Sequence, residues 1–189
     1  IFNVGSLGVQ NIKKLKYLKK LEIEKKLKIK LNKKNFLITF HPVTLSKKKE
    51  SIVPLLKVIK KIKNTNFIFT APNMDPGNNE IFNQISKFTE KNKNGKFFPS
   101  LGQQLYFSCA KHFDLIIGNS SSGIIEIPTL KKPTINIGQR QKGRIISRNI
   151  INCENNEISI KKALKKVFSK EFVKKIKNTK NPYYKYNTS

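Results

Sequence analysis

The residues best suited to chemistry stand in one stretch, Gly118-Asn119-Ser120-Ser121-Ser122-Gly123-Ile124-Ile125-Glu126. A short apolar run ends in glycine, three hydroxyls follow, and a helical pattern opens. The first N–H groups of a helix lack partners within it and carry its positive dipole end, so such a start at a strand end can hold phosphate. One serine would suffice as a helix cap. Three in succession point to an anion, with Ser120, Ser121, Ser122 and Gly123 as its cradle, and Gly118 and Gly123 permitting close approach of the backbone. Glu126, a turn or more further on, would repel phosphate, so its natural target is a pair of sugar hydroxyls such as a ribose. No Gly-x-x-x-x-Gly-Lys-Ser/Thr or Gly-x-Gly-x-x-Gly occurs, which argues against a P-loop and a standard dinucleotide fold.

Other polar residues stand where apolar runs end. His41 follows Asn35–Phe40, Asn73 follows Asn66–Thr70, Ser100 follows Gly95–Phe98, and Gly138-Gln139-Arg140 follows Thr134–Ile137. His41, as imidazolium or as a neutral donor, could bind a phosphate oxygen or protonate a leaving group. Of the 39 lysines and arginines only three are arginine, Arg140, Arg144 and Arg148, all within nine residues. In a chain whose default cation is lysine, that cluster suggests a need for planar, multidentate hydrogen bonding. Glu126 is the only acid expected among these positions.

These residues need a scaffold that gathers strand ends. The apolar runs alternate with amphipathic segments at 51–62, 77–90, 102–111, 120–128, 158–168 and 171–177, and Ile150-Ile151 marks a sixth strand. Strand–helix alternation through short loops implies a Rossmann-like, doubly wound parallel α/β sheet, whose ligands bind beyond the carboxyl ends of the strands. Residues 1–30 read as an opening segment and a connecting helix from about Gln10 to Lys30, residues 31–177 as the nucleotide-binding domain, and residues 178–189 as an irregular tail.

The formal net charge of +28 would ordinarily suggest a nucleic-acid partner. The lysines, however, are spread along the whole chain on solvent-facing positions, the pattern of a compositional bias, and no nucleic-acid role is expected. No apolar run approaches the ~20 residues of a membrane helix. Cys109 and Cys153 lack metal-ligand spacing and read as core thiols of a reducing compartment, and a cytoplasmic protein without metal or cofactor is the expectation. A start at Ile1, without a targeting stretch, suggests a piece of a longer protein.

Five segments resemble the sugar-nucleotide 2-epimerase family, in the order of its C-terminal half: FNVGSLGVQNI (2–12), TFHPVT (39–44), APNMDPG (71–77), GNSSSGIIEIPTLKKPTINIGQRQKGR (118–144) and NPY (181–183). His-Pro-Val-Thr, Asn-Ser-Ser-Ser-Gly and Gly-Gln-Arg-Gln-Lys-Gly-Arg resemble its hydrolysing branch. The resemblance implies half of a two-domain fold like that of the B-type glycosyltransferases. It also implies hydrolytic epimerisation of UDP-N-acetylglucosamine for sialic-acid-type sugars, with the acid/base carboxylates in a missing N-terminal domain and a homo-oligomer as a possible assembly. By position, His41 and Arg140 match phosphate-side residues, Ser120 and Ser121 the diphosphate loop, Glu126 the ribose acid, Asn73 a residue near the nucleotide and Ser100 one near the base. Two rival readings are a nucleotide-sugar domain of a glycosyltransferase and a basic nucleic-acid-binding domain.

Overall fold

A computed structural model describes residues 5–43 and 50–185. Thr44, at the end of one of the segments named above, lies outside them.

Six strands form one parallel sheet in the order β3-β2-β1-β4-β5-β6: β1 Lys34–Thr39, β2 Thr65–Thr70, β3 Gly95–Phe98, β4 Leu115–Gly118, β5 Thr134–Ile137 and β6 Ile150–Cys153. The central strands β1 and β4 are buried on both faces, as their near-continuous apolar sequences require. Alternation divides each strand between two cores. Phe36, Ile38, Phe67, Phe69, Ile117, Ile135 and Ile137 point to one face, and Leu37, Ile68 and Ile116 to the other.

The first face is covered by α3 Val53–Ile59, α4 Asn78–Lys91, α7 Glu157–Val167 and α8 Lys170–Ile176. Their buried residues repeat at helical spacing: Ile81, Ile85 and Phe88 on α4, Ile160, Ala163 and Val167 on α7. Asn156 caps α7 by accepting from the Ser159 N–H at 2.9 Å. The second face carries α1 Leu7–Lys14, α2 Lys20–Leu27, α5 Gly102–His112 and the short α6 Ser121–Ile125, which runs into a 3-10 turn at Ile127–Leu130.

One expectation of local structure changes. The single helix from about 10 to 30 is two helices, because residues 15–19 are drawn out by the rest of the fold. The Leu18 N–H donates to Ser108 Oγ at 2.9 Å, and the Tyr17 hydroxyl donates to the Ile12 carbonyl. Both helices bury apolar residues (Ile12, Ile23, Leu27) in the second core. The tail contains no helix or strand among its described residues, yet it is anchored. Asn181 Nδ2 donates to the Ile125 carbonyl and to Thr129 Oγ1, and the Tyr183 carbonyl accepts from the Ser6 N–H. Ser6 and Tyr183 thus meet, close to α6.

Candidate nucleotide site

In the strand order 3-2-1-4-5-6 the connections turn in opposite directions on either side of β1 and β4, which opens a crevice beyond their carboxyl ends. His41 follows β1 and Asn119 follows β4, so both stand at this crevice.

Asn119 joins the loops. It is fully buried. Its Oδ1 accepts from the His41 N–H at 2.7 Å and its Nδ2 donates to the His41 carbonyl at 2.9 Å. Its own carbonyl accepts from Arg140 Nη1 at 3.3 Å and Gln141 Nε2 at 2.8 Å. His41 and Arg140, 99 positions apart in sequence, are held on one residue. Asn119 belongs to the run singled out above, but its role as the joint was not legible there, because it depends on which loops the topology brings together.

His41 Nδ1 accepts from the Asn73 N–H at 3.0 Å, so the ring proton is left to Nε2. Burial, with Arg140 beside it, lowers the His41 pKa to about 4, against the opposing effect of Asp75 and Asn73. Of the two forms considered, the neutral imidazole with a donating Nε2–H is the one this environment favours.

Ser120 does what the simpler reading required: it is the N-cap of α6, its Oγ accepting from the Ser122 N–H at 3.4 Å. Ser121 opens the helix. Ser122 Oγ is buried and makes no hydrogen bond. α6 is only five residues long, shorter than the 120–128 expected, so its macrodipole is small and local N–H and hydroxyl donors must carry any anion binding. The two glycines serve the protein's own packing. A Cβ on Gly118 would collide with the Thr39 carbonyl oxygen, and one on Gly123 would lie 3.2 Å from Thr134 Cγ2.

Glu126 caps the end of α6. Burial raises its pKa to about 7, against the pull of Arg144 and Ser122. Gly8 of α1 lies so close that a Cβ there would be 2.7 Å from Glu126 Oε1. Tyr106, on α5, is a neighbour that no motif announced: its phenol sits by Ser122, Thr39 and Glu126, and burial raises its pKa. Because Glu126 binds protons more tightly folded than unfolded, stability falls as pH rises from about 4.5 to 7 through this group. His41 acts in the opposite sense, its contribution being lost as pH falls from 6.5 toward 4. Glu126→Gln is therefore expected to melt about 5 °C above the parent at pH 8 and to match it near pH 5. Equal melting temperatures at both values would show that the carboxylate is not held against its charge.

The expectation of a single acid here is corrected: three carboxylates stand at the crevice. Asp75 hydrogen-bonds the Asn73 side chain and acts on His41 and Arg140. Glu50, just before α3, accepts from the Gln139 N–H at 2.8 Å through Oε1. Lysine-rich sequence around it and its position ahead of a helix gave no sign of this. Ser100 stays apart, at the end of edge strand β3, exposed and bonded to the Gly102 N–H. His112 is bonded to the Leu18 carbonyl and belongs to the scaffold. Both cysteines are free, and burial pushes each thiol up to about 12, far from a reactive thiolate.

Buried polar atoms without partners are rare in folded proteins and ask for a reason. Among the described residues there are seven in side chains, and four of them, Glu50 Oε2, Asn73 Oδ1, Ser122 Oγ and Gln141 Oε1, belong to this crevice or the loops that form it. A cavity of about 580 Å³ opens from the 138–146 loop toward α7, lined by Gly138, Gln141, Arg144, Asn152 and Lys162.

The model of the family described as UDP-N-acetylglucosamine 2-epimerase matches residues 1–189. The chain belongs to this family. Among 2-epimerase relatives, the hydrolysing GDP/UDP-N,N'-diacetylbacillosamine 2-epimerase of Campylobacter jejuni is 45% identical over 175 residues, covering 91% of this chain and 45% of that protein. The polysialic acid biosynthesis protein P7 of Escherichia coli is 37% identical over 190 residues, covering 99% and 48%. The UDP-GlcNAc 2-epimerase of Methanocaldococcus jannaschii, solved in complex with UDP-GlcNAc and UDP, superposes with a TM-score of 0.68 at 22% identity over 98% of this chain and 51% of that one. The chain spans about half the length of the curated relatives it matches. The 2-epimerase family membership and the parallel α/β half-fold agree with the reading of the residues. Among the described residues no helix is long and apolar enough to cross a membrane.

Proposed function

We propose that this chain is the nucleotide-binding half of a hydrolysing UDP-sugar 2-epimerase. The observation that carries this reading is the crevice itself: the Ser120–Ser122 turn, the Arg140 guanidinium and the Nε2–H of a neutral His41 are gathered around Asn119, with the Glu126 carboxylate set apart from them on α6. Ser120, Ser121, Arg140 and His41 hold the diphosphate, Glu126 the ribose hydroxyls, Asn73 a neighbouring part of the nucleotide, and Ser100, across the rim, the region of the base.

The reaction is loss of UDP from UDP-N-acetylglucosamine together with the proton at C2, followed by addition of water at C1 and return of a proton to the other face of C2. N-acetylmannosamine and UDP leave, and the product would feed sialic-acid-type sugars. The share of this half is electrostatic. Donors fixed before the reaction meet the charge that grows on the departing diphosphate. His41 contributes as a hydrogen-bond donor, since its proton acceptor site is occupied by Asn73 and its pKa is far below neutrality. Removing a proton from carbon and returning one on the opposite face needs positioned bases as well. These are assigned to an N-terminal domain beyond this chain.

A second reading of the sugar rests on the 45% identity with the Campylobacter relative, whose name gives N,N'-diacetylbacillosamine. Under that reading the same steps act on a diacetamido sugar.

Millimolar UDP is expected to raise the melting temperature of this chain by a few degrees, as any ligand of the folded state must. The purified chain incubated with UDP-N-acetylglucosamine is expected to release neither UDP nor N-acetylmannosamine, and both together once an N-terminal domain is supplied. A folded chain indifferent to UDP would remove the nucleotide assignment; turnover by the chain alone would move the bases into it.

A further inference from the structure

Gly8 stands where the backbone does not ask for a glycine. It is the second residue of α1, and its φ lies outside the left-handed region. In a helix glycine is less favourable than alanine, because its backbone loses more freedom on folding. Space accounts for it instead. A Cβ on Gly8 would lie 2.7 Å from Glu126 Oε1, with Glu126 Cδ and Ser6 Oγ both at 3.5 Å. The one severe contact is with the carboxylate oxygen, and the other two are ordinary van der Waals distances. The Glu126 carboxylate rests against the bare α-carbon of Gly8.

Neither backbone is free to retreat. Val9 and Ile12 are fully buried, and α1 packs against the turn at Ile127–Leu130 that follows Glu126. The start of α1 is tied to the tail through the Ser6 N–H and the Tyr183 carbonyl, and the tail is tied through Asn181 to the Ile125 carbonyl, next to Glu126. The Glu126 N–H donates to the Ser122 carbonyl and its carbonyl accepts from the Thr129 N–H. What can still move is the end of the Glu126 side chain. A methyl group on Gly8 would therefore displace the carboxylate and leave the helix where it is.

We infer that Gly8 is a positioning residue for nucleotide recognition: its missing side chain is the space in which the Glu126 carboxylate is held toward the ribose hydroxyls. This rests on the nucleotide reading above and extends it to α1, a segment that otherwise serves only as packing. Gly8 itself touches no ligand and acts through Glu126.

The test is calorimetric titration of this chain with UDP and with 2'-deoxy-UDP, for the parent, Gly8→Ala, Glu126→Ala and the double variant. The parent is expected to prefer UDP about tenfold, the weight of a hydrogen bond to a charged group. Gly8→Ala is expected to bring the two ligands within about twofold of each other, chiefly by weakening UDP. In the Glu126→Ala background the same methyl is expected to change UDP affinity by less than about twofold, since no carboxylate is left to displace. Gly8→Ala is also expected to melt at or above the parent, because alanine favours the helix. A preference for UDP kept in Gly8→Ala would overturn the inference and leave the ribose reading of Glu126 intact. So would an equal loss of affinity in the Glu126→Ala background, which would show that Gly8 acts by another route. A Gly8→Ala chain melting more than about 2 °C below the parent would mean that α1 gives way rather than the carboxylate, and would overturn it too. A parent that binds UDP and 2'-deoxy-UDP equally would overturn both the inference and the ribose reading, and one that binds neither would remove the nucleotide reading as well.

Discussion

Gly118→Ala is expected to destabilise the chain by about 4 kcal/mol, in the range reserved for broken backbone packing, and to lower its melting temperature by on the order of 10 °C. Gly118 ends β4 between two neighbours, registered with Thr39 of β1 and Asn136 of β5. Its φ of +145° is one that residues with a side chain rarely adopt, and a methyl group there would run into the carbonyl oxygen of Thr39. Neither strand can yield, because β1 and β4 are the two central strands and their side chains fill both cores. Relief would have to come from breaking the β1–β4 ladder at the point where the crevice is built. Gly143→Ala is the control: its φ is +87°, but nothing lies within 4 Å of the added carbon, so only the backbone penalty of about 1 kcal/mol applies. Thermal denaturation of the two variants checks this. A Gly118→Ala protein melting within 2 °C of Gly143→Ala, on the order of the resolution of such ΔΔG arguments, would mean that the sheet tolerates the methyl.

Asn119→Ala is expected to weaken UDP binding by about 30-fold, a loss consistent with two buried hydrogen bonds and the displaced donors they fix. The side chain carries both bonds to the backbone of His41, so its removal leaves a backbone N–H and carbonyl unpaired at the end of β1. His41 then loses the support that aims its Nε2–H. The bonds from Arg140 and Gln141 go to the Asn119 carbonyl and survive in principle. The variant therefore separates the two arms of the site: the His41 arm fails while the Arg140 arm stays. Asn119→Asp is expected to fare no better, since it removes the donor to the His41 carbonyl and buries a charge. Calorimetric titration with UDP measures the effect. An unchanged affinity in folded Asn119→Ala would show that His41 is positioned by the strand alone or takes no part in binding.

The reading of the first core was largely legible because it depends on period. Strand segments such as NFLITF, NFIFT and TINI are short, with apolar residues interrupted only by Asn and Thr, and the helix around Ile81, Ile85 and Phe88 has a clear i, i+4, i+7 stripe. Residues 10–30 misled for the same reason. Ile12, Leu15, Leu18 and Leu21 keep a spacing of three, yet Ser108, 90 positions away, captures the Leu18 N–H and breaks the helix. A local pattern cannot report a distant hydroxyl.

What the sequence determined by itself is therefore the alternation of buried strands and amphipathic helices, a parallel sheet, and the expectation that strand-end polar residues matter. Period and burial are local properties of the chain, and the ends of parallel strands must lie on one edge. The tertiary structure alone decided which of those ends meet. It put His41 and Arg140 on Asn119, left Ser100 at the edge of β3, gave Gly118 and Gly123 close packing neighbours in Thr39 and Thr134, and brought in Tyr106, Asp75 and Glu50. The physical reason is that the order of strands in the sheet, and the faces to which their connections turn, follow from the packing of both cores together. Glu50 reaches Gly138 across 88 positions because β1 and β5 both flank β4, and no run of residues near either one records that neighbour.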